Sequence, residues 1–318
     1  MIKKGKGAQN QIKTDDIDID LIVKELYKIR FDERISNVLY NKEYYIERLK
    51  RFGCKKNEIA LTMDEFTGKT RILVGYFHGE KQKTMSPELQ IIGNDADFID
   101  SQITDLGELK HIVGNVYFGS SQITDLGKLE TIGGNVYFGD SQITGLGKLK
   151  YIGGEANFID SQITDLGELE IIGGDADFED LKITSLRKLN RIGGCLFLEG
   201  SQITDLGELE IIGGTVHFGE SQITELKELK IIKGNAEFIG SQVKKLGKLM
   251  SIGNDADFGD SQITNLGELI IIGGDADFID SQITDLGKLL IIGGSAYVSS
   301  DQSELIKKLQ KRDMRCIL

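Results

Sequence analysis

The sequence predicts an α/β repeat solenoid, mainly of parallel β-strands, with a helical cap at its N-terminus. Three observations lead to this fold class. A block of twenty residues, IIGGDADFIDSQITDLGKLL at 271–290, recurs with little change along most of the 318-residue chain. A unit this short cannot bury its own apolar face, whereas stacked copies can. Glycine occurs 39 times and proline once, which suits repeated tight turns and excludes a collagen-like or proline-rich chain.

The repeat region covers residues 91–310, which hold eleven copies of twenty residues without an insertion. The preceding segment, 71–90, keeps Ile72 and Leu89 in register with the later copies. We interpret it as a degenerate first repeat. At about 4.8 Å per coil, eleven coils form a rod or arc roughly 50 Å long.

Within a copy, the apolar residues mark the sides of one coil. Ala96 and Phe98 are separated by one residue, which indicates a short strand with both side chains inward. The next apolar residues follow at a spacing of three: Ile103, Leu106, Leu109 and Ile112. That spacing suits turns or a 3₁₀-like convex side. The position of Asn94 and Asn254 holds only Asn or Gly in the other copies, so we expect positive φ there.

The stretch ADFIDSQI at 96–103 fits the motif LxLxxNxL, with Ser101 at the asparagine position. Leu106 and Leu109 follow at the spacing of short bacterial or phage-type repeats. The pattern therefore resembles a leucine-rich repeat over 91–310, although it uses Ser for Asn and Phe for the second Leu. The resemblance implies a strand-lined face and a 3₁₀ convex side. The alternative is a right-handed pentapeptide-type β-helix, which also has twenty residues per coil, but Leu109 falls off its five-residue grid.

The N-terminal region, residues 1–70, predicts a basic helical domain that caps the array. Apolar residues recur at helical spacing in 17–27 and 42–52, and Gly53 is placed to end the second helix. Residues 57–66 predict a third helix. At the other end, 303–318 predicts an amphipathic capping helix, because leucine and isoleucine recur there at helical spacing between lysines.

Charge divides the chain into a basic head and an acidic body. Residues 1–85 hold 18 Lys and Arg against 13 Asp and Glu, a net charge of +5, whereas 86–318 hold 20 against 37, a net charge of −17. An acidic body repels the phosphates of nucleic acid. We therefore expect a protein partner with a basic surface. Nucleic acid is conceivable only at the N-terminal region, where ERLKRFGCKKNEIAL faintly resembles a helix-turn-helix.

No motif for catalysis or metal binding occurs in the sequence. The histidines His78, His111 and His217 have no metal-ligand spacing, and no phosphate-binding loop or nucleophile elbow is present. We expect no enzyme, no metal, no cofactor and no small-molecule substrate. The chain lacks both a run of eighteen apolar residues and a secretory signal, and its three cysteines lie far apart. A cytoplasmic, reducing location is expected.

The residue between Ala96 and Phe98 must point away from the core, because neighbouring strand residues face opposite sides. Its equivalents are the candidate partner-binding residues: Tyr117, Tyr137, Asp177, Phe197, His217, Glu237, Asp257, Asp277 and Tyr297. Aromatic side chains give large contact areas, and carboxylates around them select a basic partner. We expect these side chains to be exposed.

Three functional hypotheses follow from this face. The first is a non-enzymatic scaffold or inhibitor that grips a partner protein by its acidic, aromatic-studded strand face. The second is an acidic mimic of nucleic acid that inhibits a nuclease or another nucleic-acid-binding protein, as a phage counter-defence or anti-CRISPR factor would. The third is an adaptor anchored to DNA through the N-terminal region.

Overall fold

A computed structural model describes residues 18–36, 42–80 and 82–317 of the chain. These residues form a parallel β-solenoid of about twelve coils, which confirms the predicted class. Within the described ranges the α-helices are α1 (Ile19–Ser36), α2 (Lys42–Lys50) and α3 (Ser303–Lys311). Helices are therefore a minor part of the architecture.

Each coil of the repeat region contributes one two-residue strand to each of two parallel sheets, here named sheet A and sheet B. Sheet A consists of Ile59–Ala60, Ile72–Leu73, Ile91–Ile92, His111–Ile112, Thr131–Ile132, Tyr151–Ile152, Ile171–Ile172, Arg191–Ile192, Ile211–Ile212, Ile231–Ile232, Ser251–Ile252, Ile271–Ile272 and Ile291–Ile292. Sheet B consists of Phe77–His78, Ala96–Asp97, Val116–Tyr117, Val136–Tyr137, Ala156–Asn157, Ala176–Asp177, Leu196–Phe197, Val216–His217, Ala236–Glu237, Ala256–Asp257, Ala276–Asp277, Ala296–Tyr297 and Cys316–Ile317. The repeat pattern predicted the strands of sheet B from Ala96–Asp97 to Ala296–Tyr297, but it did not predict the strands of sheet A in the same coils.

The core is built from equivalent side chains of successive coils, stacked in register. Residues twenty apart pair directly, as Ala156 does with Ala176. Phenylalanine rings form the largest of these stacks, with 5.4 Å between the centroids of Phe98 and Phe118 and 4.9 Å between those of Phe158 and Phe178. All these rings are fully buried, and each contributes roughly 1.5–3 kcal/mol of hydrophobic stabilisation.

Each coil contains two tight turns, and each turn includes a residue with positive φ. In the first, the N–H of Ser101 donates to the carbonyl of Phe98 at 3.0 Å, and Asp100 between them has φ +53°. In the second, the N–H of Leu109 donates to the carbonyl of Leu106 at 3.2 Å, with Gly107 at φ +61°. The side that carries the three-residue spacing is therefore a turn, and the described part of 91–300 contains no 3₁₀ helix.

The expectation of positive φ at Asn94 and Asn254 is wrong, since the left-handed residues are those equivalent to Asp100 and Gly107. Close contact between coils explains the preference for glycine. A Cβ on Gly134 would overlap Oδ1 of Asn115 and lie 2.7 Å from the carbonyl carbon of the preceding coil. The N–H of Asn254 donates to the carbonyl of Gly234 at 3.2 Å, the longest such bond in this row.

Helices α1 and α2 cover the outer face of sheet A rather than the open end of the core. Ile22 and Leu26 of α1 are buried in one apolar cluster with Ile91 and Val113 of the first coils. Tyr27 extends this cover to the next coil. Its hydroxyl lies so close to Gly133 that a Cβ on this glycine would overlap it. Apolar outer positions of sheet A are thus buried where the helices lie on them.

The third N-terminal helix predicted for 57–66 is absent from the described structure. This segment holds the strand Ile59–Ala60 between two 3₁₀ helices, Lys56–Glu58 and Met63–Glu65. The strand forms because it pairs in parallel with Ile72–Leu73, a contact that local sequence does not reveal. A helix-turn-helix would need a second helix here. Gly53 follows α2 with φ +85°, as expected of a residue that ends a helix.

At the C-terminus, α3 packs its apolar side under the last coil. Leu305 and Leu309 are buried in the main core. The helix ends at Lys311, whereas the sequence analysis extended it to 318. The chain then adds the strand Cys316–Ile317 to sheet B, beside Ala296–Tyr297. The sequence analysis did not predict this last strand.

We predict that Gly134→Ala lowers the free energy of unfolding by about 1–3 kcal/mol, because the new methyl group is forced into the neighbouring coil. Gly119→Ala is the matched control. Its Cβ would meet only ordinary contacts, the nearest being the carbonyl oxygen of Gly139 at 3.6 Å. Urea denaturation of both variants tests this. Equal stability of the two variants would show that coil spacing does not explain the glycine row.

A second prediction concerns His111, which is 6% exposed and whose Nδ1 lies 2.9 Å from Oγ1 of Thr131. Burial lowers its pKa below the ordinary value of 6.5, against the opposing charges of Glu130 and Asp20. Just below pH 6.5, the unfolded chain therefore binds more protons at this residue than the folded chain does. We expect the free energy of unfolding to decrease as the pH falls below about 6.5.

Denaturation on both sides of that pH measures the effect. His111→Gln should flatten the pH dependence, because the substituted amide does not titrate. The same pH dependence in wild type and His111→Gln would contradict the assignment.

Candidate functional site

The outer surface of sheet B, from Asp97 to Tyr297, is the candidate site and is named the acidic face here. All nine residues predicted for partner binding lie on it in a single row. Their register follows from the sheet: Tyr117 pairs with Tyr137, and Asp257 with Asp277. The structure thus brings the predicted residues onto one face because each is displaced from the next by whole repeats.

The aromatic residues of the row are less exposed than the sequence analysis expected. Tyr117 and Tyr137 stack with 5.2 Å between ring centroids and 2° between ring planes. Each ring covers part of the next, so both are only partly exposed, as are Phe197 and Tyr297. His217 is the exposed member of the set. A partner could therefore contact ring edges and one face of each stack.

The aspartates of the row each hold a local turn. In Asp177, Asp257 and Asp277, Oδ1 accepts the backbone N–H two residues ahead, at 3.2, 2.8 and 2.8 Å. Asn157 occupies the same row and makes the same bond at 3.1 Å. This bond needs an oxygen but no charge. The negative charge at these three positions is therefore surplus to the fold.

A second row of polar residues, one position before the buried strand residue, has a structural role that the sequence analysis missed. Oδ1 of Asp255 accepts the backbone N–H of Asp275 at 2.8 Å, and Oδ1 of Asp275 accepts that of Ser295 at 2.7 Å. In the same row, Sγ of Cys195 accepts a hydrogen bond from the backbone N–H of Thr215 at 3.4 Å. The sequence signal was available, since short acceptor side chains fill nearly every position of this row.

Near the C-terminal end, the two rows enclose a shallow groove of about 280 Å³. Its lining residues are Asn235, Glu237, Asp255, Ala256, Asp257, Asp275, Asp277 and Tyr297. Four of the nine predicted residues line it. Five acidic residues and one tyrosine therefore line one small volume of solvent.

Ion pairing distinguishes the acidic face from the opposite side of the coil. There, Glu and Lys of successive coils pair, as Glu168 does with Lys188 at 2.5 Å and Glu268 with Lys288 at 2.6 Å. On the acidic face, Nδ1 of His217 lies 2.7 Å from Oε2 of Glu237, which is an ion pair only when the imidazole is protonated. No lysine or arginine within the described ranges neutralises its aspartates.

Partial burial adds to the cost of these charges. Burial raises the pKa of Asp177, against the lowering effect of its bond from the N–H of Glu179. Burial also raises the pKa of Glu179, with Asp177, Glu199 and Asp180 adding repulsion. These shifts mark a surface on which a positive group would be stabilised.

No set of three or more His, Cys, Asp and Glu side chains in the described ranges has the geometry to hold a metal ion. The three cysteines are free, and burial raises the pKa of the Cys54 thiol to about 11, which keeps it protonated. None of the helices described in the structure is long and apolar enough to cross a membrane.

Comparison with known proteins gives no assignment: no protein-family model, curated sequence or solved structure matches the chain. Its functional interpretation therefore rests on the geometry of the acidic face.

Proposed function

We propose that this chain is a non-enzymatic binding protein that docks a basic protein partner on its acidic face. The observation that carries the proposal is the row of aspartates whose charge the fold does not use. Asp177, Asp257 and Asp277 need only a neutral acceptor for their turns, as Asn157 demonstrates. Asp257 and Asp277 pair in neighbouring strands about 5 Å apart and repel one another. Asp177 has no carboxylate beside it in the row, but its charge is partly buried. A basic partner relieves both costs.

The geometry of the carboxylates favours recognition over simple solubility. One oxygen of each aspartate is fixed by its turn, so the other points in a defined direction without further loss of side-chain entropy. A solubilising surface needs no such order, and mixed charges serve it well. The opposite side of the coil has that mixed pattern, with pairs such as Glu228 and Lys248.

Aromatic residues on the same face supply anchors. Phe197 and Tyr297 are half-buried on an otherwise polar surface, and the stacked pair of Tyr117 and Tyr137 is already rigid. Rigid aromatic side chains lose little entropy on binding and give large contact areas. This combination supports a scaffold or an inhibitor that holds a folded, basic partner.

A second candidate function, mimicry of nucleic acid, is favoured by the charge density of the groove. The five carboxylates there belong to three successive coils. With coils about 4.8 Å apart, this is roughly one charge per 3 Å of the axis, close to the 3.4 Å between phosphates of one DNA strand. The target would be a nuclease or another nucleic-acid-binding protein.

We also propose how the repeat is related to known classes of repeat protein. The spacing of Ser101, Leu106 and Leu109 supports a relation to leucine-rich repeats, and two strands per coil fit the pentapeptide-type alternative as well. A reducing, cytoplasmic location is supported by three free cysteines. A DNA-anchored adaptor would need the second helix of a helix-turn-helix after Gly53. The described residues form the strand Ile59–Ala60 there, which counts against this function.

We predict that removing the three surplus charges weakens binding without weakening the fold. The variant combines Asp177→Asn, Asp257→Asn and Asp277→Asn, which keeps each turn acceptor. A partner isolated by affinity capture is titrated against wild type and variant by calorimetry. We expect the dissociation constant to rise about tenfold or more, with an unchanged melting temperature.

The matched control removes three charges from the opposite side, by Glu168→Gln, Glu228→Gln and Glu268→Gln. It should bind like the wild type, apart from the small effect of net charge. If both variants lose the partner equally, or neither does, the acidic face is not the docking surface. Competition separates the two functions: DNA should displace a nucleic-acid mimic from its partner, whereas it should not displace a scaffold or inhibitor whose partner does not bind nucleic acid.

We also predict that Phe197→Ala weakens binding of the same partner by about 1–3 kcal/mol. Phe197 is half-buried on the outer surface and does not belong to the core, so the melting temperature should change little. Leu198→Ala is the contrasting variant, because its side chain lies in the core and its loss should lower stability. Unchanged affinity in Phe197→Ala would exclude the middle of the acidic face.

A further inference from the structure

The outer side of sheet A changes character toward the C-terminus. The residue just before each strand is polar through most of the array: Gln90, Lys110, Glu130, Lys150, Glu170, Asn190, Glu210 and Lys230. The last three equivalents are Met250, Ile270 and Leu290. Leu290 is 67% exposed and the adjacent Ile291 is 49% exposed. We name these four residues the C-terminal patch.

The same location carries an open sheet edge. In interior coils the carbonyls of this side accept hydrogen bonds from the next coil, as Ile92 does from the N–H of Val113 at 2.8 Å. The terminal strand of sheet A, Ile291–Ile292, has no following strand. No described residue donates to the carbonyls of Leu290, Ile292 or Gly294. An open, apolar edge strand is a template for pairing with another chain.

The first strand of sheet A is covered, unlike its last strand. There, the N–H of Leu61 donates to Oε2 of Glu65 at 3.1 Å, and α1 and α2 cover the neighbouring outer face. Head-to-tail stacking of copies would have to displace Glu65. Within sheet A, the C-terminal edge is therefore the one left to pair, and an equivalent edge of a second copy fits it.

We propose that two copies of this chain join through their C-terminal edges about a two-fold axis. In an antiparallel pair centred on Ile292, that residue exchanges both of its backbone hydrogen bonds with Ile292 of the second copy. The register then sets Leu290 opposite Gly294 of the second copy, and Ile291 opposite its Gly293. Glycine leaves room for the two large side chains, so the edge is complementary to itself.

Charge favours the same end. Residues 86–289 hold 15 Lys and Arg against 34 Asp and Glu, a net charge of −19, whereas 290–317 hold five against three, a net charge of +2. Two copies that meet along their bodies repel strongly, whereas this end carries little net charge and opposes association least. The occupant that fits the patch is thus a second copy, in an isologous dimer.

The test is the molar mass of the full chain in solution, by sedimentation equilibrium from about 1 to 100 μM, a range suited to a small interface. We expect a monomer–dimer equilibrium in the wild type. Ile291→Glu should raise the dimer dissociation constant at least about tenfold. Ile239→Glu is the matched control, because Ile239 is equally exposed, at 49%, but lies on another side. It should dimerise like the wild type.

Hydrogen exchange gives a second readout that keeps the proposal testable if a variant misfolds. Amides in 289–295 should gain protection as wild-type concentration rises, while those in 269–275 should not change. A monomer at every concentration would overturn the proposal. So would a dimer that survives Ile291→Glu, or one lost when residues 1–17 are deleted, since the patch would then serve another surface or the N-terminal segment.

Discussion

The register of twenty residues between successive coils is the constraint on which the rest of the structure depends. It places each residue directly beside its own equivalent in the next coil, so every row along the solenoid must tolerate self-contact. Phenylalanine satisfies this requirement by stacking, as Phe238 does on Phe258 with 5.2 Å between centroids. Close backbone approach has the same origin, since a Cβ on Gly174 would lie 2.7 Å from the carbonyl carbon of Gly154.

Charged rows show how the same constraint shapes the surface. Where Glu and Lys alternate between coils, self-contact becomes attraction, as between Glu108 and Lys128 at 2.5 Å. Where aspartate follows aspartate, repulsion remains, and a structural reason is needed. Asp255 and Asp275 have one, because each carries a backbone hydrogen bond between coils. Asp257 and Asp277 bond only within their own turns, which a neutral amide would also hold. One residue type thus has two roles.

Departures from the repeat have local compensation. Arg187 and Lys227 replace glycine at left-handed positions, with φ of +50° and +46°. Such residues cost more in this conformation than glycine does. Each reaches a carboxylate of the previous coil: Lys227 contacts Asp205 at 2.9 Å, and Arg187 contacts Asp165 at 3.5 Å. The irregular stretch of the array therefore keeps its backbone path while its surface varies.

The sequence by itself determined the solenoid, its period and the inward and outward sides of sheet B, because a strict repeat converts spacing into spatial position. Because Ala96 and Phe98 point into the core, the side chain between them had to point outward. The tertiary structure decided what depends on contacts between coils: the second sheet, the strand Ile59–Ala60, the helices on the outer face and the glycine row at Gly134. Local sequence could not reveal these, because a partner in another coil or element supplies the hydrogen bond, the apolar contact or the steric limit. The sequence also could not show that Asp275 accepts a hydrogen bond from the next coil while Asp277 accepts one within its own turn, because this difference depends on where each acceptor oxygen lies.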